Sequence, residues 1–348
     1  MLYNKIKIVY KHLEYIEYYR MFMLEKGILQ VELPPQFRPK TSIVYPPFKN
    51  GRYLEEYFYE IMQKNKDVLK NIDSEYIYIP VYWTNIQNHP GFKKNRETLI
   101  MILKDKIKEF EQKNNRESYK YFTVVQHDDG PQLWLPKDTL VFGACNGDIP
   151  IALIYEDNKQ RLQSELTAMA SRGLKETPKY LASFIGSITH DIRKQMTQTL
   201  EKKEDIFLGV QNIWTNSISE NSAENFIRKT LDSKFCLSPR GYGKSSFRFF
   251  EAMLLKSVPV YFWDDKEWLP YKEYINYSDF AVSIHKSDIS NTYNILSSIT
   301  EDNYSQMIKN IDLYSKWFTL EGMSRYIISK VTTNNLYPWD INGLTFDK

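Results

Sequence analysis

The sequence predicts an α/β protein of two units, each a parallel sheet flanked by helices. Three observations predict it. The chain has 348 residues, more than a single hydrophobic core usually serves, so two units of roughly 150 residues each are expected. Along most of its length short apolar runs alternate with amphipathic helical patterns, as in parallel strands joined by crossover helices. One such unit is written out plainly at residues 235–262: a buried run Phe235-Cys236-Leu237, a glycine-containing turn, a helical stretch from Ser246, and a second buried run starting Val258-Pro259-Val260.

Residues 12–26 read as a helix dense in Tyr, Glu and Met that ends at Gly27. Residues 33–48 hold five prolines, which precludes a regular helix and predicts an extended path. Over 52–69, Tyr53, Tyr57 and Ile61 with Leu54, Phe58 and Met62 give a helical pattern. A strand is expected at 76–81, a loop at 84–92, a helix at 98–110 and a strand at 121–126. The polar stretch 155–178, with Glu156, Asp157, Lys159, Arg161, Arg172 and Lys175, reads as the connection between units. Beyond it strands are expected at 180–185, 206–210, 234–237, 258–262 and 281–284. Helices fall at 191–202, 223–231, after Ser246 and around Thr292. This is a doubly wound sheet of about five parallel strands. Late helices follow at 303–318 (Ile308, Ile311, Tyr314, Phe318) and 322–332.

In the helix after Ser246, Phe247, Phe250 and Leu254 make an apolar stripe for a sheet, and Ser245 or Ser246 can cap the first turn. The helix N-terminus with Arg240, Lys244 and Arg248 is a cradle for a diphosphate, and Glu251 could take the hydroxyls of a ribose. The same Arg248 and Glu251 also fit an ordinary surface pair one turn apart. Residues 238–245 have the look of a P-loop, but that motif needs glycine where Ser238 stands, and Pro239 stiffens the turn. In the turn 186–193, backbone N–H groups and Arg193 could reach the same phosphates, or His190 and Asp191 merely cap a helix. The strand at 121–126 ends in His127-Asp128-Asp129-Gly130-Pro131. Carboxyl ends of strands are where α/β sheets bind ligands, so these polar groups are candidates for a general base; a plain polar turn is the alternative. Neither Asp128-Asp129 nor Asp264-Asp265 has the Asp-x-Asp spacing of a metal site, so no metal is expected.

The run from Phe235 to Gly241, then Ser246-Phe247-Arg248-Phe249-Phe250-Glu251-Ala252, Val258-Pro259-Val260, Trp268-Leu269-Pro270-Tyr271 and Ile275-Asn276-Tyr277 resembles the exostosin-type glycosyltransferases. The likeness reaches upstream to residues 180–186 with Arg193, and more thinly to 76–83 and 127–131. It implies the GT-B architecture, two Rossmann-like domains facing across a cleft. The acceptor-binding domain is expected at 1–170, the nucleotide-sugar-binding domain at 171–325, and a helix and tail packing back on the first domain at 326–348. It further implies inverting transfer of a sugar from a nucleotide sugar, UDP-linked, to a hydroxyl of an oligosaccharide or polysaccharide. Arg193, Arg240, Arg248 and the Ser246 helix terminus would hold the diphosphate, and Glu251 the ribose. Asp128 is the first choice for the base, then Asp129 or His127. No cofactor beyond the sugar donor is implied. A non-catalytic glycan-binding partner of another glycosyltransferase is the rival reading, and a homo- or hetero-oligomer is compatible with either.

Composition sets outer bounds. A net charge of +3 does not argue for nucleic acid. The 26 Tyr, 19 Phe and 7 Trp suit a carbohydrate partner as well as a core. The two cysteines, Cys145 and Cys236, lie in apolar runs as buried thiols and exclude a cysteine-based metal cluster. No run of 18 apolar residues and no apolar N-terminal segment occurs, so a soluble, cytoplasmic enzyme is expected.

Overall fold

A computed structural model describes residues 27–40, 45–114, 116, 118–171, 178–211, 213–334 and 336–346. The helix expected over 12–26 lies outside the described residues, as do Arg172 and Lys175 of the polar connection. Among the described residues two five-stranded sheets organise the fold, and every strand pairing within them is parallel.

The first sheet runs in simple sequence order: β1 (Leu29–Gln30), β2 (Tyr76–Tyr78), β3 (Lys120–Val125), β4 (Leu140–Gly143) and β5 (Ile149–Pro150). Helices cover both of its faces, so β3 reads as an almost unbroken apolar run with five of its six residues buried. Around it lie α1 (Leu54–Lys64), α2 (Trp83–Gln87) and α3 (Phe92–Lys113). Residues 84–87 of the expected loop are thus helical, and 88–91 form the turn that follows. Trp83 anchors α2 by donating its indole N–H to Thr123 Oγ1 at 2.8 Å. The following helix starts at Phe92 rather than 98, because Phe92, Leu99, Leu103 and Ile107 form one buried stripe. β4 and β5 carry too few residues, among Gly, Asn and Asp, to show a periodic pattern. The polar connection contains a helix, α4 (Arg161–Ser171), which buries only Leu162 among its residues.

The second sheet comprises β6 (Tyr180–Ser187), β7 (Ile206–Gln211), β8 (Ser233–Pro239), β9 (Val258–Trp263) and β10 (Val282–His285), in the order β10-β9-β8-β6-β7. Its helices are α5 (Asp191–Leu200), α6 (Glu220–Leu231), α7 (Phe247–Leu254) and α8 (Thr292–Ser297). The strand order reverses between β6 and β8, so this is a doubly wound sheet with one switch point. In α7 the buried stripe is Phe249, Phe250 and Met253, whereas Leu254 is exposed. The expected stripe was off by a residue because Phe249, at the i position of an i,i+4 pair with Met253, packs edge-on against Tyr261 of β9.

After α9 (Glu301–Tyr314), helix α10 (Leu320–Val331) carries the chain back to the first sheet. Ser74 Oγ donates to Val331 O at 2.6 Å and Thr333 N to Asp73 O at 2.9 Å. Residue 325, the expected end of the second domain, falls inside this helix. The principal core is continuous between the halves, with Phe58 and Phe122 on one side and Phe250 and Val260 on the other. Among the described residues no helix is long and apolar enough to cross a membrane.

Candidate active site

Where the strand order reverses, two strands end side by side and their connections diverge to opposite faces, which leaves a crevice. Here β6 ends at Ser187 and β8 at Pro239. Arg193, on the first turn of α5, is 6% exposed and ties these ends together. Its guanidinium donates to Ser187 O at 2.9 Å, Pro239 O at 3.3 Å and Arg240 O at 2.9 Å. Arg248, on the first turn of α7, donates from Nε to Ile185 O at 2.6 Å. Both guanidiniums lie over the ring of Phe184, at 5.9 and 5.4 Å from its centroid. Neither forms an ion pair among the described residues. Burial and the neighbouring Arg248 lower the pKa of Arg193 to about 9, which leaves it charged at neutral pH. Gly186 makes the approach possible, since a Cβ there would overlap Nη2 of Arg248.

Polar atoms without partners cluster at the same place. Ser246 occupies the N-cap position of α7 but its Oγ caps nothing, and it is buried without a hydrogen bond, as is Thr189 Oγ1. Two positive charges, an unsatisfied hydroxyl at a helix N-terminus and a second unsatisfied hydroxyl are together suited to receive an anion.

A cleft lies in front of these groups, and its far wall comes from the first sheet: Thr84, Gln126, His127 and Asp128. Asp128 is open to the cleft, yet the protein packed round its other sides raises its pKa. Gly243, in the turn after β8, has no side chain to keep the halves apart; a Cβ there would overlap both Asp128 Oδ1 and Cys145 Sγ. His127 has its pKa lowered by burial, and its Nδ1 accepts the Asp129 N–H at 3.3 Å. That bond occupies the Nδ1 lone pair. Asp129 points to solvent, with its side chain 72% exposed. The turn thus offers Asp128 to the cleft as a proton acceptor.

A second recess continues from the cleft past Arg248 to Glu251, between α6, α7 and residues 45–48 of the first half. Glu251 is 6% exposed, with a pKa raised by burial, and accepts the Tyr155 hydroxyl at 2.6 Å. One carboxylate oxygen is therefore engaged across the halves and the other remains for a ligand. Trp214 borders both spaces and is half exposed, edge-on to Tyr45 and Tyr242.

Of the sequence-predicted residues, Asp128, His127, Arg193, Ser246, Arg248 and Glu251 converge. Arg240 does not: its Nη1 donates to Asp264 Oδ1 at 2.6 Å and Asp265 Oδ1 at 3.2 Å, away from the cleft lining. Lys244 pairs with Asp265 at 3.0 Å. The acidic pair after β9 neutralises both cations, a partnership invisible at a sequence separation of more than twenty residues. Arg248 and Glu251 are not a surface pair, since Arg248 turns to the sheet end and Glu251 to Tyr155.

Three groups at the site escaped sequence reasoning. Glu55, 1% exposed, accepts hydrogen bonds from Thr84 N at 2.9 Å, Thr84 Oγ1 at 2.8 Å and Gln126 N at 2.6 Å, and so shapes the far wall from behind. Burial raises its pKa to about 8. In sequence it looks like any polar residue of an amphipathic helix. Tyr155 and Cys145 likewise act through contacts with distant residues.

Comparison with known proteins gives the following. Residues 146–299 match the exostosin GT47 domain model. A probable glycosyltransferase of Arabidopsis thaliana is 23% identical over 274 residues, which is 73% of this chain and 51% of the relative. A probable glucuronosyltransferase of Oryza sativa subsp. japonica is 23% identical over 77% of this chain and 69% of its own length. A probable xyloglucan galactosyltransferase of Arabidopsis thaliana is 27% identical over 28% of this chain and 24% of its own. The chain thus spans about half the length of the first of these relatives. Among solved structures, WaaG, a glycosyltransferase involved in lipopolysaccharide biosynthesis, aligns over 74% of this chain and 75% of its own at 10% identity and a TM-score of 0.33. At that similarity the fold assignment rests on this chain's own two sheets.

Proposed function

We propose that this chain, whose residues 146–299 match the exostosin GT47 domain model, is a glycosyltransferase that moves a sugar from a UDP-linked donor to a hydroxyl of a glycan, with inversion. The observation that carries the reading is the pair of arginines, Arg193 buried and Arg248 partly buried, that form no ion pair among the described residues where two strands and a helix N-terminus meet. The two like charges repel each other in the empty site, Asp128 and Glu251 nearby offset this only in part, and a bound diphosphate relieves the repulsion.

In this reading the donor diphosphate lies against Arg248, the Ser246 hydroxyl and the α7 N-terminus, with Arg193 behind. Glu251 receives the ribose through its free oxygen. Asp128, on the far wall, takes the proton of the acceptor hydroxyl. The acceptor oxygen then bonds to the anomeric carbon as the bond to the diphosphate oxygen breaks, and the departing electron pair ends on a group facing two guanidiniums. A base and a leaving-group site on opposite walls suit a single displacement, which inverts the anomeric centre. Arg240 is left out of this scheme, and its role is to hold the turn after β8 to the Asp264-Asp265 pair.

Isothermal titration with UDP tests the reading: binding in the micromolar range is expected. No heat at millimolar UDP, with glycans still bound, would favour the scaffold reading instead.

A further inference from the structure

Cys145 has no part in the scheme above, yet it sits where the two halves touch. It is 1% exposed, just beyond β4, and packs with Asp128 against the bare Cα of Gly243. Its thiol faces the Asp128 carboxylate, Sγ and Oδ1 converging on the same point beside Gly243, and its sulfur lies near the backbone N–H of Ser245, the residue before the α7 N-cap. A continuous line therefore runs from the loop that receives the diphosphate, through one sulfur, to the opposite wall.

We propose that Cys145 is a positioning residue that docks the Asp128 carboxylate to the donor loop, so that the base and the anion site hold a fixed separation. The inference rests on the reading of Asp128 as the base. A thiol suits the task. It donates weakly, so it stabilises the carboxylate without consuming its basicity, and its soft sulfur suits a place beside the Ser245 N–H. The charged and titratable groups facing Asp128 are His127 and Asp129 on its own turn, Cys145 beyond β4, and Arg193 from α5. Burial raises the Asp128 pKa, and the thiol hydrogen bond opposes that rise. Loss of the thiol leaves the carboxyl to ionise at higher pH. A base must be ionised to work, so the acidic limb of the rate profile moves upward.

The test uses Cys145→Ala and Cys145→Ser in the full chain. For Cys145→Ala the acidic limb of kcat, measured as transfer or hydrolysis of the UDP-sugar, should move up by about one pH unit, a tenfold loss of rate below it. Cys145→Ser, whose hydroxyl both donates and accepts, should restore most of the wild-type profile. An Ala profile that superimposes on wild type, or a Ser variant displaced as far as Ala, overturns the proposal. A second measurement stands apart from activity. Thermal unfolding of Cys145→Ala, Asp128→Asn and the double variant should be non-additive, the double variant losing less than the two singles together. Additive shifts overturn the docking whatever the kinetics show. Coupled melting with a wild type that binds no UDP would instead retain the contact and reject the glycosyltransferase reading.

Discussion

Removing the Arg248 guanidinium strikes the proposed anion site with the least collateral damage. Nε is spent on Ile185 O at 2.6 Å, so only the two Nη atoms, on the side of Gly186, are available to a ligand. One charge-assisted hydrogen bond to a phosphate oxygen contributes about 1.5–3 kcal/mol. At about 1.4 kcal/mol per decade, Arg248→Ala should raise the Kd for UDP by roughly 10- to 150-fold. The effect on the ligand-free protein should be far smaller. Loss of the bond to Ile185 O costs about 1 kcal/mol, but the substitution also removes a positive charge that depresses the Arg193 pKa. These two changes oppose each other, so Tm should shift by only a few degrees. Titration calorimetry with UDP, paired with a melt of each variant, separates the terms. Arg248→Lys keeps the charge but cannot reach Ile185 O and the ligand together, and should fall between. A Kd within twofold of wild type in a well-folded Arg248→Ala protein refutes this location for the diphosphate.

The remaining expectations are these. Asp128→Asn keeps shape but removes the proton acceptor, so turnover should fall about 10²–10⁴-fold with UDP affinity held; equal activity would move the base elsewhere, while Asp129→Asn, at an exposed position, should cost much less. Gly243→Ala forces a methyl into Asp128 and Cys145; overpacking of this kind costs about 1–3 kcal/mol, read as a Tm drop of several degrees and a loss of turnover, and an unperturbed melt would contradict the close approach. Glu55 should make stability fall as pH rises. Its folded pKa of about 8 lies above the unfolded value, so the folded state holds the extra proton between about pH 4.5 and 8 and releases it above. The Tm gap between Glu55→Gln and wild type should therefore shift in favour of Gln from pH 5 to pH 8, and a constant gap would refute the buried charge. Transfer should survive EDTA, because guanidiniums serve the diphosphate; turnover lost on chelation and restored by manganese would make one of the aspartate pairs a metal site.

The second sheet was legible because its inner strands β6, β8 and β9 are mostly buried and show apolar runs, and successive strands from β6 to β9 are separated by amphipathic helices. The first sheet was half legible. β2 and β3 stand out by the same rule, whereas β4 and β5 are short pieces inside a Gly- and Asn-rich stretch that reads as loop. At the site, sequence placed Arg193, Ser246 and Arg248 near helix N-termini and Asp128 just after a strand, positions that follow from local structure. It missed the partners of groups that are faced from elsewhere in the chain. Arg240 looked free because Asp264 and Asp265 are brought to it only by pairing of β8 with β9. Glu55 looked solvated because its three donors come from Thr84 and Gln126. Periodicity reports which face of an element is buried, and it carries no information about partners across a cleft.

That limitation bears on how the site is built. The recess leading to Glu251 belongs to the second sheet by sequence, yet Tyr155 and residues 45–48 complete it from the first half. Phe48 packs on Phe226 of α6, and Trp268, beyond β9, donates its indole N–H to Gly143 O of β4 at 2.9 Å. Helix α10 closes the far side by bonding the chain after β9 and β10 to Ser74. Ties at both margins of the cleft leave little freedom for one half to rotate on the other as a rigid body. On the proposed reading, entry of the donor and departure of the product then fall to the cleft mouth, where Trp214 and Tyr242 are exposed and Tyr242 sits between Gly241 and Gly243. A turn with glycine on each side can move an aromatic ring without moving a strand, so the adjustable element of the site is this rim, and Arg193, Arg248 and Asp128 behind it are held fixed.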